Sequence, residues 1–268
     1  MITYPAIDPV AVHIGPLSLR WYGIMYLLGF AASYLLVRYQ IAHPVRTEQG
    51  KGDTLQEGFL DDLYVSIIIG LLIGARLGYV LFYGWGLVRN DPLEVLAVWH
   101  GGMSFHGGLI GGIVAGLWRC RSSRVDPWRM TDHVVVTVPI GLGLGRLGNF
   151  INGELYGRVT DVPWAMIFPG GGPLPRHPSQ IYELLLEGVI LFVILWLLRP
   201  VVHRDGLLTA VFLLCYGSFR IIAEFFREPD AQLGFIAGPF TMGQLLSAAM
   251  LLAGTIVAVI AVRRRSRP

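Results

Sequence analysis

The sequence predicts an all-α integral membrane protein of about seven transmembrane helices, and three observations carry that prediction. Charged residues make up only 15% of the chain, against about 25% in an ordinary soluble domain. Hydrophobic residues make up 54%, and the mean hydropathy is +0.58. Seven stretches approach the roughly 20 mostly apolar residues that a helix needs to cross a bilayer: 21–38, 60–83, 95–118, 133–149, 181–198, 207–226 and 240–262.

The first stretch is read as a retained helix. Residues 1–19 contain no Lys or Arg, so there is no positive region of the kind that opens a cleavable signal peptide. The second stretch carries Arg76 within its apolar run, with Asp61 and Asp62 at its start. The third is interrupted by Gly101, Gly102, Gly107, Gly108, Gly111 and Gly112 with His100 and His106 among them, which predicts a broken or re-entrant element. Non-helical backbone is tolerated at membrane depth only where protein or water covers it. The fourth carries Gly141, Gly143, Gly145 and Gly148. Such glycines let helices approach closely, and they also let backbone amides approach a ligand. The last three stretches are ordinary in length, and the first two of them carry charge: Glu183 and Glu187 in 181–198, Arg220 and Glu224 in 207–226.

Positive charge orients the chain. With the amino terminus outside and the carboxy terminus inside, the inner stretches hold 13 Lys and Arg, among them Arg38, Arg119, Arg129, Arg204 and Arg263. The outer stretches hold 5, and Arg76, Arg146 and Arg220 lie within spans. Residues 1–268 therefore read as one polytopic domain. Within it the outer loop 150–180, with Pro163, Pro169, Pro173, Pro175, Pro178 and Gly170-Gly171-Gly172, predicts a small irregular cap.

Composition also excludes partners. No basic stripe interleaved with aromatics is present, so nucleic acid is not expected. Cys120 and Cys215 have neither disulfide-like nor zinc-like spacing, so they read as packed residues, and a reacting thiol would come from a partner. No internal repeat is visible, which weakens an inverted-repeat transporter.

The chemistry concentrates in three places. In 207–226, Tyr216, Arg220, Glu224 and Arg227 are spaced by four, four and three, on one helical stripe. An ionisable residue within a bilayer costs about 2.5–3.5 kcal/mol on insertion scales, so it faces a partner or a wet cavity. The stripe is either a structural ion pair or an anion site. Two arginines against one carboxylate leave positive charge over, and the guanidinium fork suits phosphate. The second place is the exit of the fourth stretch, where Arg146, Asn149, Asn152, Glu154 and Gly157 crowd a Gly-rich turn. The third is Ser104-Phe105-His106-Gly107-Gly108, where a neutral histidine is either a hydrogen-bonded structural residue or a general base. Tyr22 and Tyr26 lie one turn apart near the outer end of the first helix, as interfacial aromatics do. Glu183 and Glu187 either cap the fifth helix or pair with an arginine across the site. Arg220 lies six residues from the outer end of its span, roughly 9 Å deep. These placements predict a polar chamber opening to the outer leaflet that holds a lipid with an anionic head group.

At this point the sequence becomes recognisable. GRLGNFINGELYG, at 145–157, closely resembles the signature of the phosphatidylglycerol–prolipoprotein diacylglyceryl transferases. LRWYGIMYLLGF, GGMSFHGGLIGG, LPRHPSQIYELLLEG and YGSFRIIAEFFREPDAQLG resemble the family's other motifs, in order. The resemblance runs from residue 5 to residue 250 of the chain. It differs at His100, where some relatives carry an acidic residue, and in a shorter outer loop.

The resemblance implies transfer of the diacylglyceryl group of phosphatidylglycerol to the thiol of the lipobox cysteine in a prolipoprotein signal peptide. A thioether forms and glycerol 1-phosphate leaves, as the first step of bacterial lipoprotein maturation. It further implies the plasma (inner) membrane with its membrane lipids, a periplasmic amino terminus and cap, a cytoplasmic carboxy terminus, and no metal or dissociable cofactor. Arg146 and Arg220 match the family's essential arginines and are assigned to phosphate. Tyr22, Asn149, Glu154, Gly157 and Tyr216 match other required positions, and Asn152 joins them in shaping the site. His106 matches the family's histidine and is assigned as base, with a positioned Glu or a thiol acidified by arginine as alternatives. Glu224 and Arg227 support Arg220 or gate lipid entry. The rival readings are a lipid transporter or scramblase with a basic chamber, and an assembly factor without chemistry.

Overall fold

The computed structural model describes residues 2–5, 7–15, 17–45, 58–84, 86, 95–96, 101–229, 235–237 and 240–264. The chain divides into two compact units, one formed by Met1–Gln49 with Thr131–Pro268 and the other by Gly50–Met130.

The first unit opens with an antiparallel hairpin, β1 (Val10–Ile14) and β2 (Leu17–Arg20), leading directly into α1 (Trp21–Ala42). Against α1 runs a broken helix whose halves, α4 (Pro127–Val135) and α5 (Val138–Ile151), meet at Val136-Thr137. The break has a local cause. Pro139 has no N–H to give to the helical ladder, and the Thr137 hydroxyl donates to the Val134 carbonyl at 2.7 Å. α1 satisfies the groups the break frees: Gln40 Nε2 donates to the His133 carbonyl (3.0 Å), and Ser33 Oγ meets Thr137 Oγ1 (2.6 Å).

The next crossing, Ser179–Leu198, consists of a short turn α6 (Ser179–Glu183), a π-helical segment (Leu184–Ile190) and α7 (Leu191–Leu198). It packs antiparallel on α5, with Gly143 against Gly188. A Cβ on Gly188 would lie 2.8 Å from the Gly143 Cα, so the two backbones touch there. α8 (Leu207–Glu224) and α9 (Met242–Arg263) form an antiparallel pair joined through the two-stranded β3 (Phe235–Ala237) and β4 (Phe240–Thr241). A core of Val135, Val136, Leu191, Leu195 and Leu208 ties α4, α7 and α8 together. Asp132 caps α8 from α4: its carboxylate accepts from the N–H groups of Gly206 (2.7 Å) and Thr209 (2.8 Å) and from the Thr209 hydroxyl (2.6 Å).

Residues 152–178 form the expected irregular segment, stitched by isolated bridges pairing Val159 with Arg176, Met166 with Arg176, and Gly157 with Arg227. Tyr4 anchors the chain start to it. Its hydroxyl donates to the carbonyls of Phe150 (2.6 Å) and Ile151 (3.0 Å), and its ring meets Phe150 and Phe168.

The second unit is a helical hairpin of α2 (Phe59–Tyr83) and α3 (Phe105–Ser122). Their glycines interlock. A Cβ on Gly74 would lie 2.3 Å from the Gly107 carbonyl oxygen, and one on Gly111 would lie 2.1 Å from that of Gly70. Gly107 and Gly111 therefore serve helix packing. α3 runs back along α2 from Ser104 beside Gly78 to an ion pair between Arg119 and Asp62.

Among the described residues six helices are long and apolar enough to cross a membrane: Trp21–Ala42, Phe59–Tyr83, Pro127–Ile151, Ser179–Leu198, Leu207–Glu224 and Met242–Arg263. The fourth expected stretch begins earlier than expected, at Pro127. The third is displaced. Gly101 (φ +82°) and Gly102 (φ +72°) take left-handed backbone that no helix continues through, so α3 starts at Phe105 rather than at 95. His100 lies outside the described residues. Leu27, Leu72, Ile113, Leu197 and Leu252 are exposed, a surface suited to hydrocarbon. The protein is multi-pass and mostly helical.

Candidate active site

Three arginines and three glutamates of the first unit converge. α5 supplies Arg146, α8 supplies Arg220 and Glu224, the residues just beyond it supply Arg227, and the crossing from Ser179 supplies Glu183 and Glu187. Glu183 is the hub. Its Oε2 lies 2.6 Å from Arg146 Nε and 3.0 Å from Arg220 Nη1, and its Oε1 lies 3.7 Å from Arg227 Nη1. Glu187 stands 3.7 Å from both Arg146 and Arg220. Glu224 Oε2 lies 2.8 Å from Arg220 Nη2. Glu183 and Glu187 are almost wholly buried, at 1% and 0% exposure.

The sequence places these groups together for identifiable reasons. The contact of Gly143 with Gly188 lets α5 and the π segment touch, and Arg146 and Glu183 then meet one turn away. The π turn begins immediately after Glu183, and such turns re-aim side chains at functional positions. Arg220 and Glu224 are one turn apart on α8. Gly243 leaves room for Glu224, since a Cβ there would lie 2.7 Å from its carboxyl group.

The expected excess of positive charge on the α8 stripe is corrected. Glu183 and Glu187 enter from another helix, so among the described residues three guanidiniums face three carboxylates. The carboxylate oxygens of Glu183 and Glu187 make no aligned hydrogen bonds, nor does Arg220 Nη1. These are charge contacts rather than aligned hydrogen bonds. Tyr216 lies within electrostatic reach of Glu187, Arg220 and Arg146.

Beside this cluster is the turn that ends α5. Asn149 Nδ2 (2.9 Å) and Asn152 Nδ2 (3.0 Å) both donate to Glu154 Oε1. Gln180 Nε2 donates to the Glu154 carbonyl at 2.7 Å, and Leu155 takes a left-handed φ of +57°. Tyr22 links the two groups. Its ring lies on Gly148, where a Cβ would be 2.9 Å from Cδ2, its hydroxyl is 3.3 Å from that of Tyr26, and it feels the charges of Glu154 and Arg146. Gly157 is a close-approach position: a Cβ would fall 2.5 Å from the Phe226 carbonyl oxygen and 2.6 Å from His177 Cβ. Arg158 reinforces the same junction by donating from Nε to the Arg227 carbonyl (2.9 Å).

His106 belongs to the second unit, exposed in the first turn of α3 beside Phe105. The segment before it is held by Arg76, which donates to the carbonyls of Val95 (2.9 Å), Gly101 (2.6 Å) and Gly102 (3.1 Å). Thr241, Gly243 and Gln180 were not singled out by sequence. The Thr241 to Gln244 spacing is a capping-box signal that marked the start of α9, but nothing in the sequence showed that the cap would face Glu224. Among the described residues no group of three or more His, Cys, Asp or Glu stands in position to hold a metal ion.

Residues 9–260 match the family model described as prolipoprotein diacylglyceryl transferase. The chain is 54% identical to the phosphatidylglycerol–prolipoprotein diacylglyceryl transferase of Desulfotalea psychrophila, over 94% of this chain and 92% of the relative. It is 51% identical to the one from Geobacter sulfurreducens, over 99% of each. It is 50% identical to the one from Bordetella avium, over 100% of this chain and 99% of the relative. A match across almost the whole chain, on an architecture of apolar helices around buried arginines, establishes that the chain belongs to the prolipoprotein diacylglyceryl transferase family.

Proposed function

We propose that the chain transfers the diacylglyceryl group of phosphatidylglycerol to the cysteine thiol of a prolipoprotein lipobox. Thiolate sulfur attacks the glyceryl carbon that bears the phosphate ester. A carbon–sulfur bond forms, the carbon–oxygen bond breaks, and its electron pair leaves on a phosphate oxygen of glycerol 1-phosphate. The barrier lies in the negative charge that develops on that oxygen. The observation that carries the reading is the meeting of two largely enclosed guanidiniums, Arg146 and Arg220 (18% and 12% exposed), on one buried carboxylate. They form a pre-placed cationic pair in a poorly hydrated setting, where such stabilisation is strongest.

The remaining residues take supporting roles. Tyr216 and Arg227 flank the phosphate position. Tyr22, Asn149, Asn152 and Glu154 shape the wall on the side of α5, and Gly157 lets the cap close against the end of α8. His106 accepts the thiol proton, since thiolate is the nucleophile and a free thiol has a pKa of about 8.5.

The chain works as one polytopic domain in the bacterial inner membrane, with the site open to the outer leaflet and residues 150–180 as a periplasmic cap. α3 makes the seventh crossing. Its return along α2 from Gly78 to Asp62 supports that reading. Seven crossings put the two termini on opposite sides, and the charge bias favours the amino terminus outside and the Arg-rich carboxy terminus inside.

Purified protein, phosphatidylglycerol and a lipobox peptide test the reading. The peptide should gain one diacylglyceryl unit as glycerol phosphate appears, and a Cys→Ser peptide should gain none. His106→Gln should shift the pH–rate profile, and an unchanged profile reassigns the base. Lipid movement between leaflets without peptide modification would overturn the transferase in favour of a transporter.

A further inference from the structure

Glu224 differs from the other two carboxylates of the cluster. Glu183 touches all three arginines and Glu187 touches two. Among the described residues Glu224 pairs with Arg220 alone, through Oε2, and that contact lacks hydrogen-bond alignment. Its other oxygen is held elsewhere: the Thr241 hydroxyl donates to Oε1 at 3.0 Å. Thr241 is the N-cap of α9, a 22-residue helix, and Gly243 in its first turn stands directly against the carboxyl group. Glu224 thus sits between a guanidinium and a helix start, and both favour an anion.

The charge count gives this position a consequence. With Glu224 on Arg220, three carboxylates balance three guanidiniums. A phosphodiester adds one negative charge, and Glu224 already lies on the Nη2 edge of Arg220. Moving Glu183 or Glu187 would loosen more than one arginine, whereas moving Glu224 loosens Arg220 alone, which the phosphate then engages.

We propose that Glu224 is an exchangeable counter-ion that holds the phosphate position on Arg220. It yields to the lipid phosphate by moving onto Thr241 and the start of α9, and returns as the phosphomonoester product leaves. This rests on the assignment of phosphate to Arg220. No covalent bond changes in the exchange. Glu224 is therefore a positioning residue that sets lipid entry and product release rather than the chemical step.

The test measures binding and turnover separately on the full-length protein in detergent, with glycerol 1-phosphate as a soluble probe and phosphatidylglycerol as substrate. Glu224→Gln removes the competing charge. It should bind glycerol 1-phosphate about tenfold more tightly, a shift of about 1.4 kcal/mol, with a lower KM for phosphatidylglycerol and a kcat reduced by slow product release. Thr241→Val removes the alternative resting place and no charge, so it should weaken binding of both ligands. Opposite signs for the two variants support the exchange. Weaker or unchanged binding in folded Glu224→Gln would overturn it and leave Glu224 a fixed structural partner. Wild-type protein that binds neither ligand, or that binds equally well as Arg220→Ala, would instead refute the phosphate assignment and the exchange with it. Wild-type binding without peptide modification would refute the transferase reading alone, since the binding signs would still decide the exchange.

Discussion

Glu183→Gln tests the construction of the site most severely. The carboxylate contacts Arg146 at 2.6 Å and Arg220 at 3.0 Å with 1% of its side chain exposed. At an effective dielectric of 20, unit charges 4 Å apart attract by about 4 kcal/mol. The desolvation already incurred offsets much of that gain, so the pair adds little net stability as a whole. Removal of one partner is different: it leaves uncompensated buried charge and costs about 3–5 kcal/mol. Here three guanidiniums would remain against Glu187 and Glu224. In a chain of this length each kcal/mol shifts the melting midpoint by about 2–4 °C, so the variant should melt about 10 °C lower in detergent. The guanidiniums would also lose the carboxylate that sets their spacing. A 1 Å misplacement can cost about a hundredfold in rate, and kcat/KM should fall by about that factor. The assay pairs thermal unfolding with glycerol phosphate release from phosphatidylglycerol and peptide. A variant that melts with the wild type and turns over at its rate would refute the hub role of Glu183.

Other perturbations separate the site from its scaffold. Asp132→Ala removes three hydrogen bonds to the start of α8. It should lower stability by about 2–4 kcal/mol while the KM for phosphatidylglycerol stays near that of wild type, read by melting and initial rates. Gly74→Leu drives a side chain into the Gly107 carbonyl and should separate α2 from α3, seen as new protease cleavage within 50–130. Gly157→Ala collides with Phe226 and His177 and should loosen the cap, with faster amide exchange over 152–178 and activity reduced at least about tenfold. Burial lowers the pKa of His177 below its usual 6.5. The unfolded cap therefore binds the proton more readily, so cap stability should be full above about pH 6.5 and decline as pH falls through that value. Amide exchange should show this slope and lose it in His177→Gln.

Much of this arrangement was legible because membrane-buried charge demands an explanation. Arg146 and Arg220 stand out in apolar runs, and the four-residue spacing of Tyr216, Arg220 and Glu224 gives a stripe without any tertiary information. The charge balance was not legible. Glu183 and Glu187 are one turn apart in the sequence, yet which arginines they meet depends on the backbone contact of Gly143 with Gly188 and on a π turn, neither of which has a periodic signature. Glycine was ambiguous for a similar reason. Gly107 and Gly111 read in the sequence as interruptions of the third stretch, and only the positions of Gly70 and Gly74 on the facing helix show that they serve packing. The extent of the third apolar stretch was missed because hydropathy does not register left-handed backbone at Gly101 and Gly102. Thr241 was invisible as a site residue because a capping box announces a helix start and not what lies opposite it.

The most direct measurement is an experimental structure of the protein with phosphatidylglycerol bound. The account predicts lipid phosphate within hydrogen-bond distance of both Arg146 and Arg220, with Glu183 still on both arginines and Glu224 withdrawn towards Thr241. A head group bound elsewhere, with all three carboxylates still on the arginines, would contradict it.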